Sequence, residues 1–188
     1  GNTLLEVKTE GKIIIARIQK GSGEKISQSL ESENNKTIIV FSDALDRALA
    51  AFVIANGAAS TGKQVTMFFT FWGLNVIKKP KPPKQHKDMM AKMFGIMLPR
   101  SSQKLSLSKI NFAGLGPVLM RKRMKSKNVD SLESMIMQAQ KAGIKMIACQ
   151  MSMDIMGVEQ SELIEGVEVG GVASYLAEAE QANVNLFI

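Results

Sequence analysis

Cys149 is the only cysteine in the chain of 188 residues, and its surroundings are those of a working thiol. It follows an apolar run of strand length, residues 144–148, and precedes Ser152 and Asp154, two residue types that cap helices. In an open α/β sheet, ligands bind outside the carboxyl ends of the strands. A thiol there faces a crevice and a helix N-terminus, whose partial positive charge favours thiolate over thiol. Thiolate is the form that attacks sulfur. The competing reading is a small core hydrophobe, because free cysteine is among the most buried residue types.

Few other residues offer chemistry. Gly170 and Gly171 stand ahead of an apolar stretch that reads as the last helix, so their bare N–H groups could meet an anion. The same pair also reads as a tight turn. His86 is the one histidine and lies in a Lys/Pro-rich stretch with no motif around it. Neither a metal cluster nor a Cys-His pair of definite spacing can be read. Gly114 and Gly116 make no dinucleotide fingerprint, and a phosphate loop is missing. No cofactor is therefore expected in this chain. What remains is a thiol without a dedicated base, and a thiol that serves as a carrier needs only thiolate and access.

Composition narrows the setting. Apolar residues make up 45% and charged residues 22%, as in an ordinary globular domain. A single cysteine fits a reducing compartment, and cytoplasmic location is the expectation. No stretch approaches a membrane span, and the N-terminal residues lack the basic lead and apolar core of a signal peptide. The net charge of +7 is uneven: residues 78–127 hold fourteen Lys/Arg against one acid, Asp88. Nucleic-acid binding is disfavoured, because the segment has few interleaved aromatics for stacking and no recognition motif. A face for an acidic partner or anionic substrate fits better, with Arg121, Lys122 and Arg123 as its candidate contacts; a solvated surface is the plainer account. Met89, Met93 and Met97 recur at i, i+4, i+8, one helical face suited to core packing or to an interface.

The elements that position the thiol follow from periodicity. Residues 4–9 and 12–19 around Glu10-Gly11 read as a β-hairpin, and the polar stretch 21–35 as a linker. Residues 37–41 read as a buried strand. Ser42 or Asp43 should cap a helix to about residue 60, and 64–69 form the next strand, giving a parallel βαβ unit. Trp72, the only tryptophan, follows that strand's carboxyl end and could line a pocket or cover the core. Helices are expected over 88–98, over 117–125 and over 131–142, the last capped by Asp130. The strand 144–148 delivers Cys149, residues 166–171 open the helix 172–182, and 183–188 form the last strand. This is an α/β domain with a mostly parallel sheet.

Three segments carry a resemblance. Phe68-Phe69-Thr70-Phe71-Trp72-Gly73-Leu74, Ala148-Cys149-x-Met151-Ser152-Met153-Asp154-x-Met156-Gly157 and Gly166-Val167-Glu168-x-Gly170-Gly171-Val172-Ala173 resemble the longer, peroxiredoxin-like-labelled branch of the DsrE/DsrF-like superfamily. The resemblance covers residues 36–188. It implies a three-layer α/β fold, oligomers, and sulfur carried on Cys149 as a persulfide or thiosulfonate. The same segments make Trp72, Gly73, Ser152, Asp154, Gly170 and Gly171 candidate substrate contacts. The implied partners are TusA-like or rhodanese-like sulfur carriers and further copies of the chain. The alternatives are a single-cysteine thiol peroxidase and a non-catalytic interaction module. Residues 1–20 resemble the last two strands of a TusA/SirA-like domain. That likeness implies a parent chain that joins oxidoreductase, rhodanese, TusA-like and DsrE-like modules; any FAD or CoA would belong to the parent.

Overall fold

The computed structural model describes residues 3–10, 13–19 and 34–188, except 84–88, 90–92, 94 and 96, with side chains described from residue 34 onward. The expected linker therefore lies almost wholly outside the described residues, as does His86. Strands β1 (Thr3–Glu10) and β2 (Ile13–Gln19) pair antiparallel, as the hairpin reading requires.

The remaining strands form one five-stranded parallel sheet. β3 (Asn35–Val40) leads into helix α1 (Leu45–Ser60) and β4 (Val65–Phe69). After a basic stretch come α2 (Leu115–Ser126) and α3 (Leu132–Lys141), then β5 (Lys145–Cys149) and the short α4 (Gln150–Met156). The chain closes with β6 (Val167–Gly170), α5 (Val172–Glu180) and β7 (Ala182–Phe187). The spatial order is β6-β5-β4-β3-β7. β6 is a strand where the sequence reading saw only a glycine-rich entry to the last helix. Four residues, two of them partly exposed, are too short a run for periodicity to register.

The order explains the layers. From β3 to β6 each strand is laid beside the last in one direction. Right-handed crossovers then put the intervening helices on one face. The return from β6 to β7 crosses the sheet the other way, so α5 lies on the opposite face. On the first face α1 buries Leu45, Ala48, Ala51, Phe52 and Ala55, and α3 buries Leu132, Met135, Ile136 and Ala139. These meet Ile38, Val40, Met67, Phe69 and Met146 of the sheet in one core. All five residues of β4 are buried, as expected of a strand covered on both sides.

Several caps differ from the expectation. α1 is preceded by Ala44, with no side-chain cap. Ser42 Oγ accepts from the Ala44 N–H (3.1 Å), and Asp43 accepts from Asn75 Nδ2 (2.9 Å). The α3 cap is Ser131, whose Oγ accepts from the Ser134 N–H (3.2 Å), not Asp130. α2 begins two residues before Pro117, behind Gly114 at φ 93°, and so holds the proline in its first turn, where a missing N–H costs nothing. Met89, Met93 and Met97 are helical, and all three are exposed, so this stripe is surface and not core.

Candidate functional site

Cys149 is the last residue of β5 and the N-cap residue of α4. Its partner across the sheet is Gly170, the last residue of β6. The two strands send their connections to opposite faces. α4 places Met153 and Met156 in the core under α1 and α3, whereas β6 feeds α5 on the other side. The carboxyl ends of β5 and β6 are thus a topological switch point, the place where open α/β sheets bind ligands. A missed strand brings Gly170 beside Cys149.

Cys149 is a buried residue, at 5% exposure, in a cluster with Phe68, Ile147 and Tyr175 on the α5 face. The rings of Phe68 and Tyr175 lie 5.3 Å apart. The Tyr175 hydroxyl is 3.3 Å from Thr37 Oγ1, which is in turn hydrogen-bonded to Asn185 Oδ1. Sequence reading did not single out Tyr175. The signal available was slight: the one tyrosine of the chain, on the helix after the glycine pair.

Ser152 and Asp154 do not cap α4, because both lie inside it. The helix starts directly at the strand's end, so the N-cap position falls to Cys149. Ser152 is fully buried, and its Oγ is 2.8 Å from Thr70 Oγ1, a residue just beyond β4. This bond ties α4 to the loop after β4 and fixes where Cys149 ends its strand. Asp154 is exposed and accepts from Gln150 Nε2 at 2.7 Å, one turn back on the same helix.

The loop after β4 is a 3-10 helix, Phe71–Ile77. Gly73 there donates its N–H to Phe41 O (2.8 Å), and a Cβ on it would meet Val40 O at 2.0 Å. Its glycine identity is thus explained by close packing against the end of β3. Trp72 is 41% exposed and absent from both buried clusters, so it is not the core cover the sequence allowed. Gly171 is the N-cap of α5, and space around it is open. Gly170 is tight: a Cβ would meet Ile147 Cγ2 at 2.9 Å and Ser174 Oγ at 3.2 Å.

The basic residues separate. Arg121 does not face outward: Nη2 donates to Ser102 O (2.7 Å), and Nη1 lies 3.2 Å from a Glu133 carboxylate oxygen. It pins α2 to α3 and to the preceding loop. Lys122 and Arg123 are exposed. Among the described residues no group of three or more His, Cys, Asp or Glu could hold a metal, and no helix is long and apolar enough to cross a membrane.

Comparison with known proteins agrees with this architecture. The DsrE/DsrF/DrsH-like family matches residues 32–187. The protein YrkE of Bacillus subtilis is 46% identical over 158 residues, spanning 84% of this chain and 99% of that protein. The sulfur carrier protein DsrE2 of Allochromatium vinosum is 36% identical over 155 residues, spanning 80% of this chain and 96% of its own. The crystal structure of ychN protein from E. coli shares the fold at a TM-score of 0.52 and 11% identity, over 82% of this chain and 99% of that one. The hairpin β1–β2 lies outside the family match. From residue 32 onward the chain belongs to the DsrE/DsrF/DrsH-like family.

Proposed function

We propose that the protein is a sulfur carrier that holds one sulfane sulfur on Cys149 as a persulfide. The observation that carries this reading is the placement of the chain's only cysteine at the β5/β6 switch point, opposite Gly170. The likeness to a sulfur carrier protein along most of both chains supports it. In the loading step the Cys149 thiolate attacks the outer sulfur of a donor persulfide. A new S–S bond forms at Cys149, the donor's S–S bond breaks, and the donor leaves as a thiolate with the electron pair. An acceptor thiolate reverses the sequence. Each step is an exchange of one S–S bond for another, with no net oxidation. Cys149 needs no separate base for this when it reacts as the thiolate.

Gly170 and Gly171 are proposed to border the bound sulfur, Gly170 as the direct neighbour of Cys149 and Gly171 as the first residue of the α5 side. Ser152 is proposed to position α4, and Trp72 to form exposed apolar surface for a partner carrier of the TusA or rhodanese type. Self-association is proposed as well, because Met89, Met93 and Met97 present apolar surface to solvent. Sedimentation showing only a species of 20.5 kDa would exclude it. The reading of β1–β2 as part of a TusA/SirA-like unit rests on its residues alone.

Intact-mass spectrometry tests the chemistry. Incubation with polysulfide should add one reducible sulfur atom to the protein and none to the Cys149→Ser variant. An oxygen adduct with peroxide and no sulfur adduct would instead favour a thiol peroxidase.

A further inference from the structure

Sulfur chemistry at Cys149 meets a physical obstacle: the residue is buried at 5% exposure, which leaves a donor little direct access to its thiol. We infer that Tyr175 latches α5 over Cys149, and that the first turn of α5 lifts about Gly170-Gly171 to admit the donor. The inference rests on the sulfur-carrier reading for its purpose, though not for its test.

The helix is weakly held where the cover would open. α5 buries one side chain, Tyr175, whereas α1 buries five and α3 four. Val172, Ala173 and Ser174, the turn nearest Gly170, are all exposed. The far end of α5 is fastened separately. Glu178 accepts from Lys145 Nζ at 2.8 Å and from Thr66 Oγ1 at 3.3 Å. Between the far end and the glycines, Tyr175 is the single buried contact, through its ring on Phe68 and its hydroxyl near Thr37. A helix with few buried contacts belongs to the part of a fold that opens locally.

The glycines suit a hinge of this kind. Gly170 is wedged between Ile147 and Ser174 and continues the strand beside Cys149, so it gives a fixed end. No heavy atom lies within 4 Å of where a Cβ on Gly171 would stand, and glycine has the widest choice of backbone conformations, so the chain can turn there. Lifting the first turn withdraws Tyr175 from the cluster that also contains Cys149. Tyr175 acts here as a positioning residue and takes no part in bond making.

The test is the rate of iodoacetamide alkylation of the folded full chain, followed by intact mass, with thermal unfolding recorded in parallel. The folded wild type should react at least about tenfold more slowly than the protein unfolded in urea at the same pH. Tyr175→Phe loses only the hydroxyl contact with Thr37 and should speed alkylation by roughly two- to tenfold. Tyr175→Ala should speed it further. If that variant does not fold, Tyr175→Leu, which keeps apolar burial, takes its place. Met135→Ala weakens the opposite face and should leave the rate unchanged. Folded wild type reacting as fast as unfolded protein would overturn the cover. So would tyrosine variants that react like wild type, or a Met135→Ala variant that reacts as fast as Tyr175→Ala. Alkylation involves no sulfur donor, so the latch and the persulfide can fail separately. Faster alkylation in variants that never load sulfur would leave the latch standing and remove the sulfur reading. Sulfur loading with unaltered alkylation would do the reverse.

Discussion

The two faces of the sheet are built from different material. Under α1 and α3 the sheet contributes Ile38, Val40, Val65, Met67, Phe69, Met146, Ala148 and Val167, all apolar and all in one core. Under α5 it contributes Thr37, Thr66 and Lys145 toward the amino ends of the strands, and Phe68, Ile147 and Cys149 toward the carboxyl ends. The first face has many interlocking apolar contacts from two helices, so removing one leaves others. The second has an ionic clip at one end and a small apolar cluster at the other. That difference follows from topology: three crossovers share one face and a single return crossover has the other. Stability is concentrated on the face away from the thiol, and the face that holds the thiol is the one able to move.

The largest expected effect is on the first face. Phe52 is fully buried with its ring 6.2 Å from Phe69, and Phe52→Ala should cost about 3–5 kcal/mol in urea unfolding. Tyr175→Ala should cost less, roughly 1–3 kcal/mol, and should show mainly as faster amide exchange in α5. Equal global losses from the two variants would break the comparison.

Gly73→Ala sharpens it from the loop side. An added methyl would lie 2.0 Å from the Val40 carbonyl oxygen, and overpacking of this kind costs about 1–3 kcal/mol. A neutral result in thermal melts would mean that the loop after β4 yields easily, contrary to its burial.

Arg121 divides structure from surface within the basic segment. Arg121→Ala should lose about 1 kcal/mol through its contacts with Ser102 and Glu133, whereas Lys122→Ala should change stability by less than about 0.5 kcal/mol. Chemical denaturation of the two single variants checks this.

The smallest effect concerns the clip at the far end of α5. The hydrogen bond that Lys145 donates to Glu178 holds the Lys145 pKa above the ordinary lysine value, outweighing the effect of partial burial, and Glu168 adds to the rise. A raised folded-state value means that the contribution is complete below the unfolded lysine range and is lost as pH climbs through the raised value. Glu178→Gln should therefore lower the melting temperature slightly at neutral pH, by about 0–1 kcal/mol in stability because the pair is partly solvated. The gap from wild type should close in strong alkali. A gap that widens with pH would contradict the assignment.

Much of the fold was legible because burial leaves a period. Leu132, Met135, Ile136 and Ala139 mark α3 by their i, i+3, i+4, i+7 spacing, and the β-branched run of β3 marks a covered strand. The position of Cys149 at a strand end could be read the same way. What could not be read depended on contacts between distant segments. β6 is short, and its pairing with β5 gives it meaning. The burial of Cys149 depends on a helix some twenty-five residues later in the sequence. Ser152 resembles a cap by type, yet it serves as a buried tie to Thr70, which residue type cannot reveal.

As a sulfur carrier, Cys149 should take up a sulfur atom and give it away. Loading the protein with isotopically labelled persulfide sulfur, removing the donor and adding a reduced acceptor thiol tests it most directly. One labelled sulfur per chain is expected, located at Cys149, lost from the protein and recovered on the acceptor, with no label in Cys149→Ser. Label that never binds the folded wild type, or that binds the serine variant equally well, would contradict it.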